Sequence, residues 1–322
     1  MRFLVYGAGA IGGVIGGRLF EAGHDVTLVA RGDHLAALRD RGLELVSPAG
    51  GSVLPVPVVG HPSEAKLVDG DVVVLAMKGQ HTADAVAALV AHAPPGIAVV
   101  CAQNGVENER VVLRSFADVY AMSVVCPATH LEPGRVVAHS APISGLLDLG
   151  RYPDGLDDVA VAVAGALSSA TFVSEPRADI MRWKYRKLTM NLANVAIAMC
   201  GADSPELPDL VRLLRAEGEA VFTAARIDLV TVDDDRGRRG DLLLQPPIPG
   251  VERNPGSTWQ SLARGVGSIE TDYLTGEVVL LGRLHGVPTP ASTLMQELAT
   301  EAAAARRPPG HLPAAEILAR LT

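Results

Sequence analysis

The chain has 322 residues, of which 48% are hydrophobic and 20% are charged, and its formal net charge is −8 at pH 7. A chain of this length can bury a large core and suggests two domains. Its negative charge argues against nucleic acid as a partner. No apolar run approaches the roughly 20 residues of a membrane span, and Met1 opens directly into a strand-like run, which indicates no targeting segment. The three cysteines lack metal-ligand spacing, so we expect a cytoplasmic protein without a membrane or metal site.

Short apolar runs alternate with helix-like stretches through the first half of the chain. This alternation predicts a parallel sheet with helices on both faces. Buried strands are expected at Phe3–Tyr6, Val26–Ala30, Val72–Ala76, Ile97–Cys101 and Val119–Val125. Antiparallel strands that extend the sheet are expected at Arg135–His139, Ile143–Leu149 and Thr171–Val173.

The pattern changes after residue 176, where helical periodicity replaces strands. Helices are expected at Arg182–Cys200, Pro208–Arg226, Tyr273–His285, Ala291–Arg306 and Pro313–Leu321. The charged, Pro- and Gly-containing stretch Asp233–Gly256 is expected to be a loop. The sequence therefore predicts an α/β domain over residues 1–176 and a mainly α-helical domain over residues 177–322.

A glycine pattern follows the first predicted strand directly and opens a helix. It matches G-x-G-x-x-G and consists of Gly7, Ala8, Gly9, Ala10, Ile11 and Gly12. In this context the pattern is typical of a dinucleotide-binding Rossmann domain. Gly7 allows the tight turn, Gly9 lets the backbone approach the pyrophosphate, and Gly12 permits close helix–strand packing. The N–H groups at the helix start then bind the phosphates; the alternative is an ordinary glycine-rich turn.

The residue after the second predicted strand indicates which cofactor is bound. Domains that prefer NAD usually have Asp or Glu at this point, where the carboxylate binds the ribose 2′-hydroxyl. This chain has Arg31, whose planar fork suits a 2′-phosphate, so NADP(H) is predicted. Asp33 is the competing residue, which we interpret as the N-cap of the following helix. The alternative for Arg31 is a solvent-exposed loop arginine.

Polar side chains follow two further strands at the end where an open α/β sheet binds its ligands. Lys78 and Gln80 follow one strand, and Asn104 follows the next one along the chain. Such groups lie at the carboxyl ends of the parallel strands, next to the ligand crevice. The alternatives are a surface lysine at Lys78 and a plain turn at Asn104-Gly105.

A polar stripe marks the first long helix of the second half. Lys184, Lys187, Asn191 and Asn194 fall within an arc of about 80° on a helix. The stretch 188–200 is apolar nearly all round, which predicts a buried helix in which the asparagines need partners. A ligand or a neighbouring backbone can supply them. Only four of the 28 basic residues are lysines, and lysine is the cation whose pKa is readily tuned for proton transfer.

Taken in chain order, these motifs resemble the ketopantoate reductase (2-dehydropantoate 2-reductase) family over nearly the whole chain. Ser257 and the pattern Glu270-x-Asp272-Tyr273-x-x-Gly276 complete the resemblance. It implies a Rossmann-type doubly wound sheet followed by a helical domain, a 6-phosphogluconate-dehydrogenase-like arrangement. It also implies NADPH-dependent reduction of 2-dehydropantoate to (R)-pantoate in pantothenate and coenzyme A biosynthesis.

Carried over by position, the resemblance makes Lys187 the general acid and places Asn191 and Asn194 on the substrate side. The family's tryptophan commonly stands closer to its lysine than Trp183 stands to Lys187, so Lys184 is a rival proton donor. We favour Lys187 because Asn191 follows it at the family spacing. Lys184 is expected nearer the exposed, charged end of the helix.

The remaining residues of the resemblance are assigned in the same way. Asn104 would lie near the nicotinamide and the substrate, and Lys78 on the cofactor side. Ser257 would contact the substrate carboxylate, and Glu270 the hydroxyl end or the catalytic lysine. The aspartate that usually follows the family's serine-rich segment is missing after Ser257, so the resemblance specifies the reaction type more closely than the substrate.

Two other functions remain open at this point. One is a related NADPH-dependent reductase acting on another 2-oxo acid or on an imine. The other is a non-catalytic NADPH-binding sensor. For the enzyme, the expected partner is a small 2-oxo acid, and the sequence leaves open whether the chain forms a homodimer.

Overall fold

The computed structural model describes residues 1–253 and 255–321. The chain forms two compact units, the first made of Met1–Lys184 and Asp233–Glu252 and the second of Tyr185–Val232 and Arg253–Thr322. The division thus falls after Lys184, inside a helix, whereas the sequence predicted it after residue 176. The first unit also takes up a later segment, which the predicted ranges assigned to the helical domain.

The first unit is built on an eight-stranded sheet with the order β12-β11-β8-β7-β6-β1-β2-β5. Its strands are β1 (Arg2–Tyr6), β2 (Asp25–Val29), β5 (Val58–Val59), β6 (Val72–Leu75), β7 (Ala98–Cys101), β8 (Val119–Val125), β11 (Gly145–Arg151) and β12 (Phe172–Val173). Six neighbouring strands run parallel to one another, in the spatial order β8, β7, β6, β1, β2 and β5. Strand β11 joins this set antiparallel to β8. The five predicted parallel strands are therefore confirmed.

Both faces of this sheet are buried, as the continuous apolar runs require. Along β6, Val72 and Val74 pack into one hydrophobic cluster while Val73 and Leu75 pack into the other. This alternation follows from the two-residue period of a strand.

A second, four-stranded sheet of order β4-β3-β10-β9 lies in the same unit. Its strands are β3 (Leu43–Ser47), β4 (Gly50–Leu54), β9 (Ala128–Thr129) and β10 (Arg135–Ala138). The prediction that the run at 135–139 extends the main sheet is wrong, because β10 pairs in parallel with β3 instead. The predicted strand at 171–173 is confirmed as β12, which joins the main sheet beside β11. Because β11 runs antiparallel to β8 and β12 runs parallel to β11, β12 is antiparallel to the parallel strands, as predicted.

Helices of the first unit connect and cover the strands. They are α1 (Ala10–Glu21), α2 (Gly32–Arg41), α3 (Thr82–Val90), α4 (Asn108–Leu113) and α5 (Asp158–Ser169). The long helix α6 (Ile180–Cys200) begins in this unit and continues into the second.

A short helix, α8 (Val232–Arg239), occupies part of the stretch predicted to be a loop. The loop prediction is wrong here, because the charges of this segment favour a helix. Three aspartates lie in its first turn and three arginines in its last, where the helix dipole favours each sign. Arg238 of α8 donates to both carboxylate oxygens of buried Asp148, at 2.8 and 2.6 Å. Leu244 further along accepts bonds from Ser140 Oγ and Ala141 N. These bonds explain why the segment belongs to the first unit.

The second unit is helical throughout its described residues, apart from turns and loops. Besides most of α6 it contains α7 (Leu207–Ala224), α9 (Ser257–Ala263), α10 (Thr275–His285), α11 (Pro290–Ala304) and α12 (Ala314–Ala319). The five predicted helices of this half are observed, each within a turn at both ends. Across the part of the chain that the structure describes, no helix is both long and apolar enough to cross a membrane.

Candidate functional site

The glycine-rich loop joins β1 to α1 and has the backbone shape that its sequence predicts. Gly7 has φ +102°, and a Cβ there would lie 2.8 Å from the amide nitrogen of Met77. A Cβ on Gly12 would lie 2.1 Å from the carbonyl oxygen of Gly7, so helix and loop are in close contact. Any side chain at these two positions would force the backbone apart.

Gly9 differs from its neighbours because space lies beside it. It is the N-cap of α1, no side chain caps the helix, and the first turn carries no acid. The nearest atom to a Cβ built on Gly9 is His130 Cδ2, at 4.0 Å. An anion can therefore reach the amide groups at the start of α1 through a gap that a larger residue would fill.

Arg31 lies at the start of α2, exposed, as the residue directly before the helix. The interpretation of Asp33 as the N-cap is wrong: Arg31 occupies that position, and Asp33 lies in the first turn, where the helix dipole favours an acid. Burial first, and then the positive charges of Arg31 and Lys78, lower the pKa of His81, while Asp84 opposes this. Basic groups from the loops after β2 and β6 thus act on the same histidine.

The loop after β6 contains a short 3₁₀ turn, Gly79–His81, with Lys78 as its N-cap. The side-chain oxygen of Gln80 is buried and accepts no hydrogen bond. A buried acceptor without a partner is uncommon, and a bound ligand is one way to satisfy it.

A chain of hydrogen bonds joins this loop to the loop that carries Asn104. Gln103 Nε2 donates to the carbonyl oxygen of Met77 at 3.0 Å and to Thr82 Oγ1 at 2.8 Å. Thr82 Oγ1 donates to Asn108 Oδ1 at 2.7 Å, and Asn108 Nδ2 donates to the carbonyl oxygen of Asn104 at 3.0 Å. The two loops singled out in the sequence are therefore held together at one edge of the sheet.

Lys184 belongs to the same network. The prediction that it lies near an exposed end of the helix is therefore wrong. Only 4% of Lys184 is exposed. Its Nζ donates to the carbonyl oxygen of Gln103 at 3.0 Å and forms an ion pair with Glu109, which is fully buried. The sequence around Lys184 predicts exposure because Arg182, Tyr185 and other polar residues stand beside it. Its burial could not be predicted locally, because its partner Glu109 is 75 residues away.

The network also explains the chemistry of the nearest cysteine. Burial first, and then the charge of Glu109, raise the pKa of the Cys101 thiol well above its ordinary value, while Lys184 acts in the opposite direction. Cys101 is thus a protonated core residue and not a nucleophile.

The rest of the polar stripe lies on α6 within the second unit. Lys187 is partly exposed, whereas only 6% of Asn191 is exposed. Asn194 is half-buried beside the start of α9, since a Cβ built on Gly256 would lie 3.6 Å from Asn194 Oδ1. Ser257 follows Gly256 directly as the first residue of α9. The structure therefore brings Asn194 and Ser257, two residues predicted to bind substrate, into one neighbourhood.

Glu270 lies before a 3₁₀ turn, Thr271–Tyr273, and only 7% of it is exposed. Asp272 lies in that turn and not in α10, and it accepts a hydrogen bond from Gln296 Nε2 at 2.8 Å. The hydroxyls of Thr271 and Thr275 are buried without hydrogen-bond partners. This corner of the second unit therefore has polar groups with unused bonding capacity.

Sequence reasoning missed the residues that support the first-unit loops. Thr82, Asn108 and Glu109 are polar residues at helix starts, where they are expected to face solvent. No local signal distinguishes them; only their distant partners do. Within the described ranges, no group of three His, Cys, Asp or Glu side chains is placed to hold a metal ion.

Comparisons with known proteins identify the family. The family model "Ketopantoate reductase PanE/ApbA" matches residues 3–154, and "Ketopantoate reductase PanE/ApbA C terminal" matches residues 179–303. The 2-dehydropantoate 2-reductase of Halobacterium salinarum is 30% identical over 308 residues, covering 92% of this chain and 97% of that protein.

Solved structures show the same fold. A PanE/ApbA family ketopantoate reductase from Ralstonia eutropha JMP134 has a TM-score of 0.80 at 26% identity, covering 95% of this chain and 100% of the other. A D-mandelate dehydrogenase solved with NADH and anilino(oxo)acetate has a TM-score of 0.78 at 21% identity, with 95% and 99% coverage, and shares the fold. Two family models that together span most of the chain, with a relative at 30% identity, lead to one conclusion: this chain is an oxidoreductase that belongs to the ketopantoate reductase family.

Proposed function

We propose that this chain reduces 2-dehydropantoate to (R)-pantoate, with NADPH as hydride donor and Lys187 as proton donor. Family membership supports the reaction class. The observation that carries the assignment of the proton donor is the contrast between the two lysines of α6. Lys184 is buried in an ion pair with Glu109, whereas Lys187, one turn later, is partly exposed.

The first unit fits a dinucleotide at the edge where β1, β2 and β6 end. The gap beside Gly9 and the uncapped start of α1 suit a pyrophosphate. Gly7, Ala8, Gly9, Ala10, Ile11 and Gly12 would line this part of the site. Arg31 and Lys78 would hold the 2′-phosphate that distinguishes NADPH from NADH. The charges of both residues lower the pKa of His81, so both act on the same part of the first unit.

Reduction of a 2-oxo acid needs a hydride at the carbonyl carbon and a proton at the carbonyl oxygen. NADPH supplies the hydride when it is bound. The Lys187 ammonium would donate a hydrogen bond to the carbonyl oxygen, polarise the bond and transfer its proton as the alkoxide charge develops. Asn191, four residues further along α6, would orient the substrate without adding net charge.

The other predicted site residues have roles that follow from their chemistry. Ser257, beside Asn194, would donate to the substrate carboxylate. Glu270, which is buried, would accept a hydrogen bond from the substrate hydroxyl or hold the ammonium of Lys187 in place. Asn104 would contact the nicotinamide and the substrate from the loop after β7.

A second candidate is a reductase of the same family that acts on another 2-oxo acid or on an imine. The segment Ser257–Ser261 favours this alternative, because it lacks the aspartate that usually follows the family's serines. The fold does not decide between these substrates, since a D-mandelate dehydrogenase shares it. A non-catalytic NADPH sensor remains the third hypothesis. A cytoplasmic location, a role in pantothenate biosynthesis and a homodimeric state stay predictions from sequence.

A substrate panel tests the proposal. NADPH oxidation is followed by absorbance with 2-dehydropantoate, with the same acid lacking its hydroxyl, with phenylglyoxylate, and with pyruvate plus ammonium. We expect the highest kcat/KM for 2-dehydropantoate and a lower value without the hydroxyl. Highest kcat/KM with phenylglyoxylate or with the pyruvate-derived imine would support the second candidate. Tight NADPH binding without turnover of any substrate would support the sensor.

A further inference from the structure

We propose that His34 is a positioning residue that joins the two cofactor-binding loops of the first unit, the glycine-rich loop and the start of α2. The inference rests on the proposed binding of NADPH. His34 lies in the first turns of α2, three residues after Arg31, and its ring reaches the loop between β1 and α1. A residue that holds both loops would set the spacing between the pyrophosphate and 2′-phosphate sites.

The hydrogen bonds of His34 determine which ring nitrogen carries the proton. Nε2 lies 2.7 Å from the carbonyl oxygen of Ala8, which can only accept, so Nε2 must donate. The backbone N–H of Gly134 donates to Nδ1 at 2.9 Å, so Nδ1 must be unprotonated. Both partners are backbone groups with fixed roles, and they select the neutral ring.

Burial and a neighbouring histidine keep this ring neutral. The rings of His34 and His130 lie 4.3 Å apart between centroids, and His130 Nδ1 donates to the carbonyl oxygen of Arg135 at 3.1 Å. Burial first, and then the charge of His130, lower the pKa of His34 to about 4, although the bond to Ala8 acts in the opposite direction. At neutral pH His34 is therefore uncharged and makes both bonds.

The bond to Ala8 also orients the amide that faces the proposed phosphate site. Gly7 N and Ala8 N both donate to the carbonyl oxygen of Val29, each at 3.1 Å, so β2 holds the loop from one side. His34 holds the Ala8 carbonyl oxygen from α2. In a trans peptide the N–H points opposite to the preceding C=O. Fixing the Ala8 carbonyl therefore fixes the direction of the Gly9 N–H.

The test replaces His34 with Phe, which keeps a ring against His130 but removes both hydrogen bonds. A single hydrogen bond contributes about 0.5–1.5 kcal/mol, so its loss should weaken NADPH affinity by roughly twofold to twelvefold. We expect the Kd of NADPH, measured by fluorescence titration, to rise by about this factor. The KM for NADPH should rise more than kcat falls. His34→Gln, which can still donate to Ala8, should recover part of the affinity.

His92→Phe is the matched control, because His92 is an exposed histidine in the turn after α3, and this variant should bind NADPH like the wild type. A His34→Phe protein that binds NADPH as tightly as the wild type would overturn the inference. So would a variant whose only change is a lower Tm without cofactor, since His34 would then only stabilise the fold. A wild-type protein that binds no NADPH would instead remove the proposed function on which the inference rests.

Discussion

The first unit offers its proposed ligand mostly backbone groups, whereas the second offers side chains on a largely buried helix. Around Gly7 and Gly12 the loop is shaped by close contacts between main-chain atoms. Along α6, the candidate groups are the ammonium of Lys187 and the amides of Asn191 and Asn194. Changes of backbone shape in the first unit should therefore lower cofactor affinity, whereas changes of side-chain chemistry on α6 should lower turnover.

Lys184 lies on α6 but belongs to the first unit, where it pairs with Glu109. Lys184→Met should destabilise the protein by about 3–5 kcal/mol, since it leaves Glu109 charged and buried without its counter-ion. Urea unfolding would measure this change. The double variant Lys184→Met/Glu109→Gln should recover part of the loss, because it removes both charges. Wild-type stability in Lys184→Met would contradict the ion pair.

Arg31 tests the choice between NADPH and NADH in the first unit. If Arg31 binds the 2′-phosphate, Arg31→Ala should weaken NADPH binding by about 1.5–3 kcal/mol, the range for a hydrogen bond to a charged group. NADH lacks that phosphate, so its affinity should hardly change. Calorimetric titration with both cofactors measures the difference. Equal losses for NADPH and NADH would show that Arg31 acts only on the structure.

Gly12 tests whether backbone contact controls cofactor affinity. Gly12→Ala places a Cβ against the carbonyl oxygen of Gly7, and such overpacking costs about 1–3 kcal/mol. We expect weaker NADPH binding and a lower Tm. Gly165→Ala is the matched control: Gly165 lies in helix α5 with open space around it, so alanine should be neutral or stabilising by up to about 1 kcal/mol. If both variants behave alike, the close contact at Gly12 has no importance for binding.

The same contrast explains what the sequence could predict. The parallel strands, and the placement of Lys78 and Asn104 after them, follow from apolar runs whose topology brings their carboxyl ends together. Helix α6 and its stripe follow from periodicity. The burial of Lys184 could not be predicted, because Glu109 is distant in sequence. The second sheet was missed because β4 begins with two glycines and is mostly exposed, and because β10, the strand that pairs with β3, lies far along the chain.

The central claim is that Lys187, and not Lys184, delivers the proton. Its most direct test is the kcat of Lys187→Ala with 2-dehydropantoate and saturating NADPH, with the NADPH Kd measured on the same sample. Loss of a general acid costs about 10²–10⁴ in rate, so kcat should fall by that factor while the Kd stays near the wild-type value. A Lys187→Ala enzyme that keeps wild-type kcat, while folded Lys184→Met loses it, would contradict the account.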